Sequence, residues 1–286
     1  MLNKQVYVNG KYFDKNDAVV SVFDRGFLFA DSVYEVTAVI KGLLVDWKAH
    51  FSRLKNSLKE INLELNIQEK EIFSIQKNLI DKNKIKEGLV YIQVTRGIGE
   101  RDFNFSETQF KPTIVIFTQE KKILNTDRAK KGIKIVTFEE KRWKRRDIKT
   151  TQLLAPSMAK SEASKRGKDD CWFIENGYIT EGSSSNAFII NDNNEVVSRE
   201  LSHSLLGGIT RSSLLDFCKK NKMKFRESKF TEFEAKNARE AFITSSTSFV
   251  VPVIEIDGDK VGGGVVGSYV KKLQKLYLNE IQKKLS

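Results

Sequence analysis

Four stretches of this 286-residue chain combine residue types that could grip an anion or move a proton. Leu206-Gly207-Gly208-Ile209-Thr210-Arg211 runs straight into a helical pattern over Ser212–Lys220. Paired glycines before a helix start let backbone N–H groups converge on an anion, and the helix dipole favours negative charge there. Taken alone, the segment reads more simply as a strand-to-helix turn with Thr210 as N-cap. Thr244-Ser245-Ser246-Thr247-Ser248 follows the strand-like Ala241–Ile243. Its hydroxyls could donate to phosphate oxygens, although any polar loop has this composition. Thr180-Glu181-Gly182-Ser183-Ser184-Ser185-Asn186 reads as a loop between two strands, where Glu181 could be a fixed counter-ion or simply part of a hydroxyl-rich turn. Lys149, in Asp147-Ile148-Lys149-Thr150-Thr151, follows a basic stretch and precedes a helix. The default for any one lysine is a solvated side chain; one shielded from water can instead form a Schiff base or act as a base.

These residues need a scaffold, and the pattern of apolar positions supplies an α+β one. VYVNGKYF (residues 6–13) alternates around the turn pair Asn9-Gly10, and SVYEVTAVIKGLLVDW (32–47) flanks Lys41-Gly42, so both read as hairpins. Phe51, Leu54, Leu58 and Ile61 recur at helical spacing over 48–61, and a second helix is predicted over 68–83. Strands over 89–97 and 112–119 follow, joined by a polar loop. The polar stretch EKKILNTDRAKKG reads as a linker, giving a small α+β domain over 1–119, a linker over 120–131 and a larger β-rich domain over 132–286. That second half shows short strands (IKIVTFE, DCWFIENG, YITEG, SNAFIIND, EVVSRE) and helices near 152–166, 211–221 and 268–285. The last helix places Val270, Leu273, Tyr277, Ile281 and Leu285 on one face.

Composition narrows the function classes. With 40% hydrophobic and 30% charged residues the chain is globular, and no apolar run approaches the ~20 residues of a membrane span. The N-terminus lacks the apolar core of an export signal, and two cysteines, Cys171 and Cys218, are too few for a disulfide framework, so a cytoplasmic location is expected. The net charge of +12 is dispersed, its densest group being Lys141–Arg146. No zinc-finger spacing or basic tail accompanies it, so a solvated surface is the expected reading, against nucleic-acid binding. Gly97-Ile98-Gly99 lacks the third glycine of a dinucleotide fingerprint, and no P-loop occurs. With only His50 and His203, and no HExxH or Gly-x-Ser-x-Gly, a His-rich metal site and a serine-hydrolase elbow are excluded. An enzyme here must rely on Lys, Arg, Tyr, Glu and hydroxyl groups, with or without a cofactor for the hard step.

Taken together and in order, the motifs resemble the class IV (fold type IV) pyridoxal-phosphate aminotransferases, and within them the D-amino acid enzymes. The resemblance rests on DRGFLFADSVYEV (24–36), HFSRL (50–54), VYIQVTRG (90–97), RRDIKTTQLL (145–154), TEGSSSNAF (180–188), GGITR (207–211) and TSSTS followed by VPVIEIDG. It implies a two-domain fold, pyridoxal 5'-phosphate as cofactor, a homodimer, and ping-pong transamination between a D-amino acid and a 2-oxo acid. Branched-chain L-amino acid transamination and aminodeoxychorismate lysis are the alternatives on the same fold; a nucleic-acid-binding protein without activity is the alternative outside it. By resemblance, Lys149 matches the Schiff-base lysine and Glu181 the carboxylate facing the pyridine nitrogen. Arg53, the backbone of Ile209 and Thr210, and Ser246 match the phosphate cup, with Ser183, Ser184 and Ser185 shaping the cofactor wall. Arg53 lies off the apolar stripe of its helix and is expected to be free to reach a ligand. Tyr34 and Val36 match substrate-binding positions; Arg101 matches the arginine of a loop that the D-specific enzymes bring from the neighbouring subunit, and Phe103 stands where that loop carries a histidine. That departure removes one donor from the carboxylate trap, and Asp102 would weaken the trap further if it paired with Arg101.

Overall fold

The structure, a computed structural model, describes residues 4–105 and 110–285. The chain separates into two compact units, Met1–Lys122 with Ile148–Gln152, and Ile123–Asp147 with Leu153–Ser286.

The first unit is built on an antiparallel sheet. β1 (Gln5–Val8) and β2 (Lys11–Asp14) form the first hairpin, with Asn9 and Gly10 at φ 45° and 94°, the consecutive left-handed pair of a tight turn. A short helix that periodicity did not indicate, α1 (Arg25–Phe29), is capped by Asp24, whose Oδ1 accepts from the Gly26 N–H at 2.8 Å. Five residues are too few to show a helical repeat. β3 (Ser32–Ile40) and β4 (Leu43–Leu44) form the second hairpin. Then come α2 (Trp47–Glu60), α3 (Glu69–Lys82), β5 (Glu87–Thr95) and β6 (Thr113–Glu120), and the sheet order is β2-β1-β6-β5-β3-β4. Phe51, Leu54 and Leu58 of α2 join Ile72, Ile75 and Leu79 of α3 in one core with Val33, Val90, Ile92 and Ile116 of the sheet. The period of two along β3 buries Val33, Glu35 and Thr37, while Tyr34 and Val36 alternate with them and stay half-buried. Tyr34, Tyr91 and Phe117 stack in a ladder, with centroids 5.5 and 4.7 Å apart.

The second unit opens with α4 (Asp127–Lys131), a short helix inside the polar stretch between the predicted domains, capped by Thr126. β7 (Ile133–Glu139), α5 (Leu154–Lys165), β8 (Asp170–Glu175), β9 (Tyr178–Gly182), β10 (Asn186–Ile190) and β11 (Val196–Ser198) follow. After them come α6 (Ile209–Lys220), β12 (Phe225–Glu227), α7 (Glu232–Lys236), β13 (Glu240–Ser245), β14 (Phe249–Ile256), β15 (Asp259–Lys260) and α8 (Ser268–Leu285). The sheet runs β12-β11-β10-β13-β14-β7-β8-β9, with β15 beside β14, and mixes parallel and antiparallel neighbours. The strands β8, β10, β11, β13 and β14 are buried along most of their length, and Ile135, Trp172, Ile189, Ile243 and Val253 share one core. Val270, Leu273, Tyr277 and Ile281 are the buried stripe of α8, whose first turn donates Tyr269 and Val270 N–H to the buried Glu240 carboxylate.

Candidate active site

In the first unit the candidate lysine lies on a strip laid along β3. The Tyr34 N–H donates to the Lys149 carbonyl at 3.0 Å, and the Thr151 N–H to the Ser32 carbonyl at 3.2 Å. Thr150 bridges Val33, and the Lys149 N–H donates to Ser57 Oγ at 3.3 Å. Ile148 enters the unit's core. The backbone on either side of Lys149 is thereby fixed, and its Nζ sits 4.2 Å from the centroid of the Tyr34 ring, a cation–π geometry. The structure thus brings Tyr34 and Lys149 together, with Val36 one pleat further along the strand.

Glu35, between those two residues, turns the other way into a buried charge cluster. Arg53 Nε donates to Glu35 Oε1 at 2.7 Å, Arg53 Nη2 to Oε2 at 2.9 Å, and His50 Nδ1 lies 2.7 Å from Oε2. Arg53 is therefore a paired side chain, which corrects the expectation that it would be free: β3 packs on α2 and supplies a carboxylate eighteen residues away in sequence. Burial pushes Glu35 up, but the Arg53 charge and hydrogen bonds, helped by His50, override it and bring it down to about 2. Burial lowers the basicity of His50, so the ring is neutral at pH 7 and Nδ1 must carry the hydrogen given to Glu35.

Arg101 and Phe103 lie exposed on the loop after β5. The Arg101 guanidinium carbon is 5.6 Å from both the Phe29 and Phe103 ring centroids, and the two rings meet edge-to-face at 5.4 Å. Asp102 directs Oδ1 to the Asn104 N–H at 3.0 Å and its carbonyl to Arg25 Nη1 at 2.5 Å. Among the described residues it forms no ion pair with Arg101.

The second unit gathers the remaining candidates where β9, β10, β13 and α6 begin or end. Thr180, Glu181 and Gly182 belong to β9 and Asn186 to β10, so the predicted loop shrinks to a bend of three serines. Glu181 is 5% exposed and receives Arg142 Nη1 at 2.8 Å and the Leu206 N–H at 3.0 Å, with Asn186 Nδ2 at 3.5 Å. Burial pushes Glu181 up, and Arg142 is the largest influence pulling it back. Asn186 also donates to the Leu206 carbonyl at 2.8 Å and pairs across the sheet with Thr244. Ser183 gives its hydroxyl to Asp170 at 2.5 Å, Ser184 is exposed, and Ser185 Oγ and Thr244 Oγ1 are buried without a partner among the described residues. Ser246 is half-buried in the turn after β13.

Helix α6 starts two residues earlier than the pattern suggested. Gly208 is its N-cap, with no side chain to cap it, and Thr210 is a buried helical residue, which overturns Thr210 as N-cap. A Cβ on Gly208 would lie 2.0 Å from Asn186 Oδ1, so close backbone approach requires glycine here.

Arg142, Glu35 and His50 were not singled out from the sequence as site residues. Arg142 showed only as one member of a basic run, and nothing in local spacing links Glu35 to residues 50 and 53. The donor set of the second unit fits a phosphorylated pyridine. It offers a buried carboxylate for a ring nitrogen, a helix start without a side-chain cap for a phosphate, and two buried hydroxyls without partners among the described residues.

A family model, amino-transferase class IV, matches residues 32–256. The chain belongs to the class IV aminotransferases. This class IV aminotransferase is 35% identical over 271 residues to a D-alanine aminotransferase of Staphylococcus aureus (strain COL), covering 95% of each chain. It is 34% identical over 282 residues to a D-alanine aminotransferase of Bacillus licheniformis, covering 97% of each. A solved branched-chain amino acid aminotransferase from T.th., with pyridoxamine 5'-phosphate, has the same fold: TM-score 0.89, 22% identity, 98% of this chain and 94% of that one.

Proposed function

We propose that this aminotransferase exchanges amino groups between small D-amino acids and 2-oxo acids, with pyridoxal 5'-phosphate as its resident cofactor. The observation that carries the reading is near-full-length similarity to D-alanine aminotransferases at 34–35% identity. When bound, the cofactor supplies an aldehyde that condenses with amines and a ring that takes up the electron pair left when a Cα proton departs. Lys149 anchors it through Nζ and then holds the Cα proton there. The Tyr34 ring, its centroid 4.2 Å from Nζ, restricts where the amine can swing. Glu181 would face the ring nitrogen. Arg53, the N–H groups of Ile209 and Thr210, and Ser246 take the phosphate, while Ser183, Ser184 and Ser185 form the wall. Arg101 binds the substrate carboxylate at the neighbouring subunit's cofactor, with Phe103 beside it, while Tyr34 and Val36 line the site of their own subunit; the aromatic contacts of Arg101 steady its guanidinium without using its N–H groups. Stereochemistry then depends on which face of the substrate this trap presents to Nζ.

We also place the enzyme in the cytoplasm as a homodimer. Both cysteines are free and buried, and Val19, Val22, Phe27, Ile98 and Phe103 of the first unit are exposed apolar side chains that an interface would cover. Among the described residues no helix is long and apolar enough to cross a membrane.

The test is a donor panel in both enantiomers with 2-oxoglutarate as acceptor. D-alanine should react with parallel-line, ping-pong kinetics. Strict use of L-alanine or of branched-chain L-amino acids would overturn the D assignment, and pyruvate release from aminodeoxychorismate without a second substrate would reassign the reaction.

A further inference from the structure

We infer that Arg142 is a positioning residue that keeps Glu181 an anion, so that a proton shared between Glu181 and a cofactor ring nitrogen rests on the ring. The inference deepens the function proposed above and rests on it for the ring, though not for the carboxylate.

The geometry around Glu181 carries it. Its three neighbours, Arg142 Nη1, the Leu206 N–H and Asn186 Nδ2, are all donors, so an acid proton on either oxygen would point at another hydrogen. Burial works in the opposite sense, because a carboxylate removed from water favours its neutral form. The carboxyl lies above its ordinary value because burial is the largest influence, and the cation in contact is the largest one opposing it. Among the described residues Arg142 is the cation paired with Glu181.

Arg142 is itself aimed. Glu140 takes its Nε at 2.9 Å, its Nη2 at 2.6 Å and its backbone N–H at 3.0 Å, leaving Nη1 directed at Glu181. The guanidinium lies 4.4 Å from the centroid of the Phe173 ring, which holds its plane. Glu140 does not cancel the cation, since its Oε2 also sits 3.8 Å from Arg146 Nε, and Arg146 is fastened in turn to Glu175 by two 2.8 Å contacts. The order Glu181, Arg142, Glu140, Arg146, Glu175 alternates in sign. Only a planar fork can bind one carboxylate through two nitrogens and a second through the third, so lysine could not serve in this place.

The consequence is chemical. If Glu181 carried the proton, a pyridine nitrogen facing it would accept a hydrogen bond and stay neutral, and the ring would draw electrons poorly. With Arg142 in place, the shared proton would rest on the ring nitrogen: the neutral acid–pyridine pair becomes a carboxylate–pyridinium pair and the net charge is unchanged.

The experiment compares the full-length protein with Glu140→Gln/Arg142→Gln, which removes one negative and one positive charge together, and with Glu140→Gln alone. In cofactor-free protein, infrared difference spectra should show a carboxylic-acid C=O band in the double variant that is absent from the wild type and vanishes when Glu181→Gln is added. Loaded with pyridoxal phosphate carrying ¹⁵N in the ring, the wild type should show a protonated ring nitrogen and the double variant an unprotonated one. Glu140→Gln, which leaves Arg142 more fully to Glu181, should show no acid band and a protonated ring. A merely structural role would weaken cofactor retention and leave both spectra at wild-type positions. A double variant without the acid band, or a single Glu140→Gln variant that gains it, overturns the inference. Should the double variant fail to fold, Arg142→Gln alone is read in the same spectra: it should gain an acid band that Glu181→Gln removes, and its absence overturns the inference. A protein that gains the band yet never takes up pyridoxal phosphate sinks the cofactor reading and the ring half of the inference together, and leaves the charge of Glu181 assigned to Arg142.

Discussion

Replacing Glu35 by Gln tests the buried cluster of the first unit with a calculable sign. The carboxyl is shifted from its ordinary 4.5 to about 2. At about 1.4 kcal/mol per unit, this corresponds to roughly 3 kcal/mol of folding stability at neutral pH, in the range measured when one partner of a buried ion pair is removed. Glutamine is nearly isosteric, and its carbonyl can still accept the His50 hydrogen, so the loss reports chiefly on Arg53. Because the folded-state value is depressed, the contribution is complete above about 4.5 and disappears as pH falls through about 2. Urea unfolding followed by tryptophan fluorescence at pH 7 and pH 3 is the assay. The gap between wild type and Glu35→Gln should be about 3 kcal/mol at pH 7 and shrink by on the order of 2 kcal/mol at pH 3. Equal stabilities at pH 7, or a gap that does not change with pH, would refute the argument.

Other perturbations read the remaining parts. Lys149→Ala should abolish both the yellow colour after incubation with pyridoxal phosphate and turnover, while urea stability, set by the backbone contacts of the strip, changes little. Gly208→Ala forces a Cβ to 2.0 Å from Asn186 Oδ1 and should weaken pyridoxal-phosphate affinity by at least tenfold, measured by absorbance titration. Phe103→His removes one of the two rings stacked on Arg101 and adds a donor; KM for D-alanine should fall, and an unchanged KM would argue that Phe103 takes no part in substrate binding. Leu54→Ala, in the core between α2 and the sheet, should cost about 2–5 kcal/mol in denaturant unfolding without altering the cofactor spectrum.

The scaffold was largely written in local pattern. Alternation around Asn9-Gly10 and Lys41-Gly42 located two hairpins, and the spacing of Phe51, Leu54 and Leu58 located α2. The site was harder to see because composition and environment diverge there. Glu181 and its glycine look like loop residues, yet they lie in the buried part of strand β9. The charged partners come from distant positions: Glu35 meets Arg53 across a strand–helix contact, and Arg142 meets Glu181 across 39 residues. Periodicity has no way to pair side chains at such separations. A basic run such as Lys141–Arg146 reads as uniform surface, while in the structure Lys141 and Lys144 are exposed and Arg142 and Arg146 are held by buried carboxylates.

The five residues Ile148–Gln152 belong to the first compact unit although the chain on both sides of them belongs to the second. During synthesis, β3 must therefore wait for a late-arriving partner before its open edge is closed, and the N-terminal unit is incomplete until that piece has left the ribosome. A fragment ending near Lys122 would lack both the covering strip and the amine. Supplied as a separate peptide spanning residues 145–154, the missing piece should dock on that edge, which makes the enzyme a natural candidate for split-protein reassembly.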